Sequence, residues 1–190
     1  MLRFCPDRPL PPYSYVPGRF PHPVSDARGH SFRVASEPES RQERISDSSF
    51  SFDLDWNRSQ DYLFGIDLFN HGFYWEAHET WEYLWIEFGR SGHEADFIKG
   101  LIKLAAAGVK AREGRTVGVQ RHSRRAQELF REVLKMRMKT RGTLRIGGMD
   151  LTCLCESSGA ISENAAAIVG LSSDPVAIVL PVVLLPAENA

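Results

Sequence analysis

The chain has 190 residues, of which 43% are hydrophobic and 25% charged, as in a soluble globular domain with extensions. The formal net charge of −1 gives no overall attraction to nucleic acid or to an anionic membrane. Three cysteines without a paired framework argue against a secreted disulfide scaffold, and no apolar run is long enough to span a bilayer. We therefore expect a cytoplasmic protein.

Residues 1–50 are predicted to form an N-terminal arm and a polar linker. Seven prolines precede residue 24, and proline disfavours helix because its ring fixes φ and removes a backbone donor. The stretch Glu37–Ser51 is polar and rich in Ser, Arg and Glu, which is typical of a linker. The stretch Pro12–Pro23 is too apolar for a purely solvated tail, so we expect it to pack along the folded domain. Its apolar side chains are Tyr13, Tyr15, Val16 and Phe20.

Amphipathic periodicity predicts helices from Ser59 onward, within a domain that covers residues 54–156. Ser59 can cap the first helix, and Gly72 ends it as a C-terminal glycine does. Short connections between amphipathic helices predict an all-α fold, a compact antiparallel bundle of about four to five helices. Small residues from Gly100 to Gly108 suit close approach of a neighbouring helix. The later helices are predicted over about Phe73–Phe88, about Glu94–Arg112, from Thr116 onward, and over Asp150–Cys155.

Residues 157–190 are predicted to form a linker and an apolar tail. The stretch Asp174–Ala187 is rich in β-branched residues and is interrupted by Pro181 and Pro186. This composition favours an extended segment at an edge over a central strand. We expect the segment to pack against the helical domain.

The charges divide into an acidic half and a basic half. Residues Glu37–Asp96 contain fourteen acids and four bases, whereas residues Lys110–Arg145 contain twelve bases and three acids. The division indicates either pairing between helices or a basic face for an anionic partner, and the pattern leaves both open. The basic half lacks interleaved aromatic residues for base stacking, so nucleic acid is not expected as a partner.

The second predicted helix carries the main candidate for function, a polar edge beside its aromatic stripe. At 100° per residue, Glu82 lies about 40° and Glu79 about 100° from His78, with Trp75 about 60° away on the same side. A histidine at such a border, one turn from a carboxylate, can act as a base or share a cation with it. The pair can equally be a structural i,i+4 contact, and the sequence leaves this open.

A metal at this edge would need ligands from other elements. The run begins like the zinc-protease helix motif, but Glu82 stands where that motif has its second histidine. His22 and His30 lie on the arm, which could fold over the helix as a lid. The candidate ligands of a divalent metal are therefore His78, Glu82, His22 and His30.

The run Phe69–Trp85, FNHGFYWEAHETWEYLW, follows a signature of the form Phe-Asn-x-Gly-x-Tyr-(Tyr/Trp)-Glu-Ala-His-Glu-x-x-Glu-x-x-Trp. On this motif the chain resembles domain-of-unknown-function family 309, and the similarity continues through Phe97–Val109 to about Cys155. The resemblance implies a compact, entirely helical bacterial domain, and it implies no activity. It marks Asn70, Gly72, Glu76, His78, Glu79, Glu82 and Trp85.

Four of the marked residues have structural explanations. We expect Gly72 to end a helix and Trp85 to anchor the core. We expect Asn70 to bond the last turn or cap the next helix, and Glu76 to stabilise the start of its helix. The marked residues that packing and capping explain least are His78, Glu79 and Glu82.

Two functions remain open, and the sequence does not decide whether the protein is an enzyme. The favoured one is a binding or scaffold module with a His/Glu-lined pocket on the second helix, which takes a small ligand, a protein partner or the protein's own arm. The alternative is a metal- or acid/base-assisted hydrolase that uses His78, Glu79 and Glu82. A second copy of the chain is also left open as a partner. The residues predicted to bind are Asn70, Trp75, Glu76, His78 and Glu82.

Overall fold

The computed structural model describes residues 2–33, 52–140, 142–170 and 172–187. Within these ranges the chain forms seven α-helices, one 3-10 turn and one short antiparallel hairpin. The elements in chain order are α1 (Phe52–Asp55), the 3-10 turn (Trp56–Arg58), α2 (Gln60–Asn70), α3 (Tyr74–Glu87), α4 (His93–Arg112), α5 (Thr116–Lys139), β1 (Arg145–Ile146), β2 (Met149–Asp150), α6 (Leu151–Glu163) and α7 (Ala165–Ile168).

The predicted all-α fold is confirmed as a compact helical bundle, with more helices than the four to five expected. In the described ranges, α2 to α6 have 11, 14, 20, 24 and 13 residues, while α1 and α7 have four residues each. Each of the five long helices packs against the next one along the chain. The bundle thus brings α3, α4 and α5 side by side, and this arrangement positions the candidate site.

The last long helix is longer than predicted. It was expected to end at Cys155 but spans Leu151–Glu163, and the Asp150 carboxylate caps its first turn. The serines and glycine that follow Cys155 are weak helix formers, which is why the sequence predicts an early end. Packing overrides this preference, because Gly159 lies where any Cβ would collide with the Gln127 side chain of α5.

Aromatic rings seated on glycines fix the spacing of the central helices. At three positions a buried ring occupies the space that a Cβ would take on a glycine of the neighbouring helix. The expected close approach at the small residues of α4 is therefore confirmed, with a ring filling the space. The three pairs are Trp81 on Gly65, Phe130 on Gly100 and Tyr74 on Gly108.

The described part of the arm, residues 2–33, consists of turns and bends without helix or strand and lies against the bundle. The backbone N–H groups of Phe4 and Cys5 donate to the two carboxylate oxygens of the buried Asp67, each at 2.8 Å. Val16 is fully buried, which confirms that Pro12–Pro23 packs on the domain. The polar linker expected over Glu37–Ser51 falls in the gap between residues 33 and 52 of the described chain.

The apolar tail, residues 172–187, forms neither helix nor strand, and it packs on the bundle as predicted. Its side chains Leu180 and Leu184 are buried. The Tyr74 hydroxyl accepts hydrogen bonds from the N–H groups of Val179 and Leu180 at 3.0 and 3.1 Å. Side chains of the helices thus supply the partners that the backbone of this segment would otherwise find in a sheet.

No helix among the described residues combines the length and the apolar character that crossing a bilayer requires.

Candidate functional site

The polar edge of α3 is set by the turn that precedes it. Ser59 caps α2 through its hydroxyl, and Gly72 ends α2 with φ +85°, a left-handed conformation that glycine adopts without strain. Helix α3 then begins at Tyr74 and buries Trp81 completely. Burial of the aromatic stripe fixes the rotation of α3 about its axis. The polar residues beside the stripe, His78, Glu79 and Glu82, therefore face outward.

Three side chains of this outward face come together, as the helical spacing predicts. One ring nitrogen of His78 and one carboxylate oxygen each of Glu79 and Glu82 all lie within 4.8 Å of one another. His78 Nδ1 lies 3.6 Å from Glu79 Oε1, which is too long for a hydrogen bond. This nitrogen is buried and has no hydrogen-bond partner among the described residues. The group therefore offers three converging electron-pair donors with unsatisfied capacity.

Trp75 forms one wall of the group. Its ring stacks on the His78 ring with a centroid distance of 6.0 Å. The arm covers the Trp75 ring, since Tyr15 and His22 meet it edge-on at 4.8 and 5.9 Å. His22 therefore lies beside Trp75 and not within the group of three ligand atoms. The arm covers the flank of the site through aromatic contacts.

The second arm histidine contacts a different carboxylate. His30 Nε2 lies 3.3 Å from Glu76 Oε1, and both side chains are less than a tenth exposed. The same oxygen accepts the backbone N–H of Tyr15 at 2.8 Å. Glu76 thus anchors the arm. It lies in the first turn of its own helix, as expected, but its carboxylate forms no capping hydrogen bond there. His30 does not join His78 within the group.

Asn70 and Gly72 hold the C-terminal tail. The Asn70 amide bonds the backbone of Leu184 and not the last turn or the next helix, so the expected capping role is wrong. Gly72 ends its helix as predicted, and a Cβ there would also lie 2.7 Å from the Ala177 carbonyl oxygen. Both residues are structural.

Trp85 lies at the margin of the core and not at its centre. Its side chain is half-buried, and the ammonium group of Lys99 stands 4.9 Å above its ring. The indole Nε1 is buried, and no residue in the described ranges hydrogen-bonds it. The expectation of a core anchor is therefore correct only in part, because the core centre is occupied by Trp81.

Sequence reasoning did not place two residues of the neighbouring helices beside this edge. Lys103 of α4 and His122 of α5 lie close enough to interact electrostatically with Glu82 and His78, respectively. Burial, followed by Lys99, lowers the pKa of Lys103, with Glu82 opposing the shift. The spacing of residues within one helix carries no signal for these neighbours, because only packing of α3, α4 and α5 brings them together.

The three thiols are poor candidates for chemistry. Burial raises the pKa of Cys5 and of Cys155, and the nearby Asp150 carboxylate raises that of Cys153. All three are free thiols. Because the thiolate is the nucleophile and the metal ligand, a raised pKa makes each thiol less reactive at neutral pH.

The fold and this surface define a small helical domain whose third helix carries a histidine–carboxylate edge. Residues 62–122 match the family model described as Domain of unknown function (DUF309), and this match supports the family assignment that the motif predicts. The match includes all seven residues marked by the signature. No curated protein and no solved structure matches the chain.

Proposed function

We propose that the protein is a binding module whose histidine–carboxylate edge, formed by His78, Glu79 and Glu82, holds a divalent cation. The observation that carries this proposal is the convergence of three ligand atoms within 4.8 Å, with a buried His78 Nδ1 that no described residue hydrogen-bonds. A buried polar atom without a partner costs free energy, so a ligand that satisfies it gains that energy on binding.

The other polar residues of the signature have partners within the chain, and this supports the choice of site. Glu76 is bound by the arm and Asn70 by the tail. Trp75 is covered by Tyr15 and His22 of the arm. These intramolecular contacts leave the histidine–carboxylate edge as the part of the signature that can bind an external ligand.

The donor set favours a borderline metal. One imidazole nitrogen with two carboxylate oxygens suits zinc or manganese better than calcium, which prefers oxygen ligands alone. Ligands bound at about 2.0–2.2 Å stand roughly 3–3.5 Å apart in a tetrahedral site. Three atoms within 4.8 Å reach that geometry by small side-chain movements. Water or an external group would complete the coordination.

A second candidate function is a metal-assisted hydrolase that uses His78, Glu79 and Glu82. The observation that favours it is the position of Lys103, which lies near Glu82 and could hold an anionic substrate beside the metal. Release of p-nitrophenol from its phosphate ester by the metal-loaded protein, lost in Glu82→Gln, would support this function.

The resemblance to the family and the free cysteines also support a bacterial, cytoplasmic setting.

Calorimetric titration of the untagged protein with Zn²⁺ and with Mn²⁺ tests the proposal. We expect one site per chain, and a loss of affinity of at least about tenfold in His78→Ala and in Glu82→Gln. His93→Ala is the matched control, because His93 is exposed at the start of α4. Circular dichroism checks that each variant folds. Absence of stoichiometric binding, or equal affinity in the folded His78→Ala variant, would overturn the proposal.

A further inference from the structure

A cationic groove lies beside the histidine–carboxylate edge, where Lys103 of α4 faces the N-terminal half of α5. The groove encloses about 530 Å³. Its lining combines five basic side chains with one apolar, one amide and one acidic side chain. The lining residues are Lys103, Val117, Gln120, Arg121, His122, Arg124, Arg125 and Glu128.

The positive charge of the groove is poorly compensated by the protein itself. Among the described residues, the one ion pair within the lining joins Arg125 to Glu128 at 2.9 Å. The side chains of Lys103, Arg121 and His122 form no hydrogen bond or ion pair with any described residue. Lys103 and His122 are half-buried, so water compensates the charge of Lys103 less well than it does on an open surface.

The pKa values of the two half-buried residues, Lys103 and His122, are both lowered. Burial and the neighbouring cations Lys103 and Arg121 lower the pKa of His122 to about 4. Burial and Lys99 lower the pKa of Lys103. Burial contributes most to both shifts, and the neighbouring cations add to it, while Glu82 opposes the shift of Lys103.

From this geometry we infer that the groove binds a small phosphate-bearing ligand. Arginine and lysine side chains converging on one concave surface are the donors that proteins use for phosphate oxygens. The neutral His122 ring supplies a further hydrogen bond, and it gains a proton when a dianion balances the local charge. The inference goes beyond the cation site, and it does not require a metal to be bound.

A small ligand fits the groove better than a polymer does. Its described lining contains no Phe, Tyr or Trp ring on which bases could stack. Its volume matches a ligand pocket, which typically measures about 300–1,000 Å³. The acidic residues Glu79 and Glu82 stand near its α3 side and would repel an extended polyanion.

Binding of inorganic phosphate and of glycerol 3-phosphate to the full chain, followed by ¹H–¹⁵N NMR of the histidine side chains, tests the inference. We expect saturable shifts of the His122 ring and a rise of its pKa from about 4 when either anion binds. Tighter binding of glycerol 3-phosphate would identify an organic ester as the ligand, and tighter binding of phosphate would identify the free ion. Either result supports the inference.

The double variant Lys103→Gln/Arg121→Gln should weaken phosphate binding at least tenfold, while Arg131→Gln, an exposed residue of the same helix outside the groove, should not. The double variant should keep its affinity for Zn²⁺, and His78→Ala should keep its affinity for phosphate, so the two proposals fail separately. Unchanged phosphate affinity in the folded double variant would overturn the inference. So would binding of single-stranded RNA that tightens with length and weakens equally in Arg131→Gln.

Discussion

The side-chain amide of Asn70 bonds both backbone polar groups of Leu184. Asn70 Nδ2 donates to the Leu184 carbonyl oxygen, and the Leu184 N–H donates to Asn70 Oδ1, each at 2.8 Å. The two residues are 114 positions apart, and both are buried. A side chain of the family signature therefore holds the tail, although Leu184 lies outside residues 62–122 that match the family model.

Asn70→Ala should destabilise the protein by about 1–3 kcal/mol, because it leaves the buried N–H and carbonyl of Leu184 without partners. Urea unfolding measures the change. Asn57→Ala, at an exposed residue of the 3-10 turn, serves as the control and should change stability by less than about 0.5 kcal/mol. Equal effects of the two substitutions would show that the tail is not held in this way.

Glu76→Ala should release the arm. The substitution removes the acceptor shared by the Tyr15 N–H and the His30 ring, both within the arm. We expect faster proteolysis and faster amide hydrogen exchange over residues 13–30, with a loss of about 1–3 kcal/mol in stability. Glu79→Ala is the matched control on the same helix, since Glu79 contacts His78 and not the arm. An arm that stays protected in Glu76→Ala would contradict the prediction.

Gly108→Ala should destabilise the bundle although alanine is the better helix former. A Cβ at this position would lie 2.5 Å from Cγ of the Tyr74 ring, which is 1% exposed and cannot move freely. Overpacking of this kind costs about 1–3 kcal/mol, which exceeds the helix-propensity gain of roughly 1 kcal/mol. Thermal unfolding measures the net effect, and Gly170→Ala is the control because nothing lies within 4 Å of the added carbon. A more stable Gly108→Ala protein would show that the Tyr74 ring moves aside for the added carbon, and it would contradict the prediction.

His122 should make stability depend on pH between about 4 and 6.5. Burial, followed by Lys103, Arg121, Lys110 and His78, lowers its pKa from 6.5 to about 4. The unfolded chain therefore binds more protons at this residue across the window, so its contribution to stability falls as pH drops from 6.5 to about 4.

Urea unfolding at several pH values checks this prediction. His122→Gln should be less sensitive to pH across that window than the unchanged protein. His93→Gln, at the exposed start of α4, should leave the pH profile unchanged. A profile that His122→Gln does not alter would contradict the prediction.

The features that follow from local geometry could be predicted from the sequence. The cap at Ser59 and the helix stop at Gly72 depend on residues a few positions apart. The convergence of His78, Glu79 and Glu82 follows from their spacing on one helix, and the aromatic stripe sets the direction in which they face. The period of 3.6 residues per turn carries this information within a single segment.

The partners of these residues were decided by tertiary structure alone. Sequence spacing could not show that Glu76 binds His30 or that Asn70 binds Leu184, because the two residues of each pair lie far apart along the chain. The cationic groove beside the site likewise exists because α4 and α5 pack together and exclude water from Lys103. The histidine–carboxylate edge was determined by the sequence. The burial of His78 Nδ1 without a hydrogen-bond partner among the described residues, and the positive groove next to the edge, were determined by packing between helices.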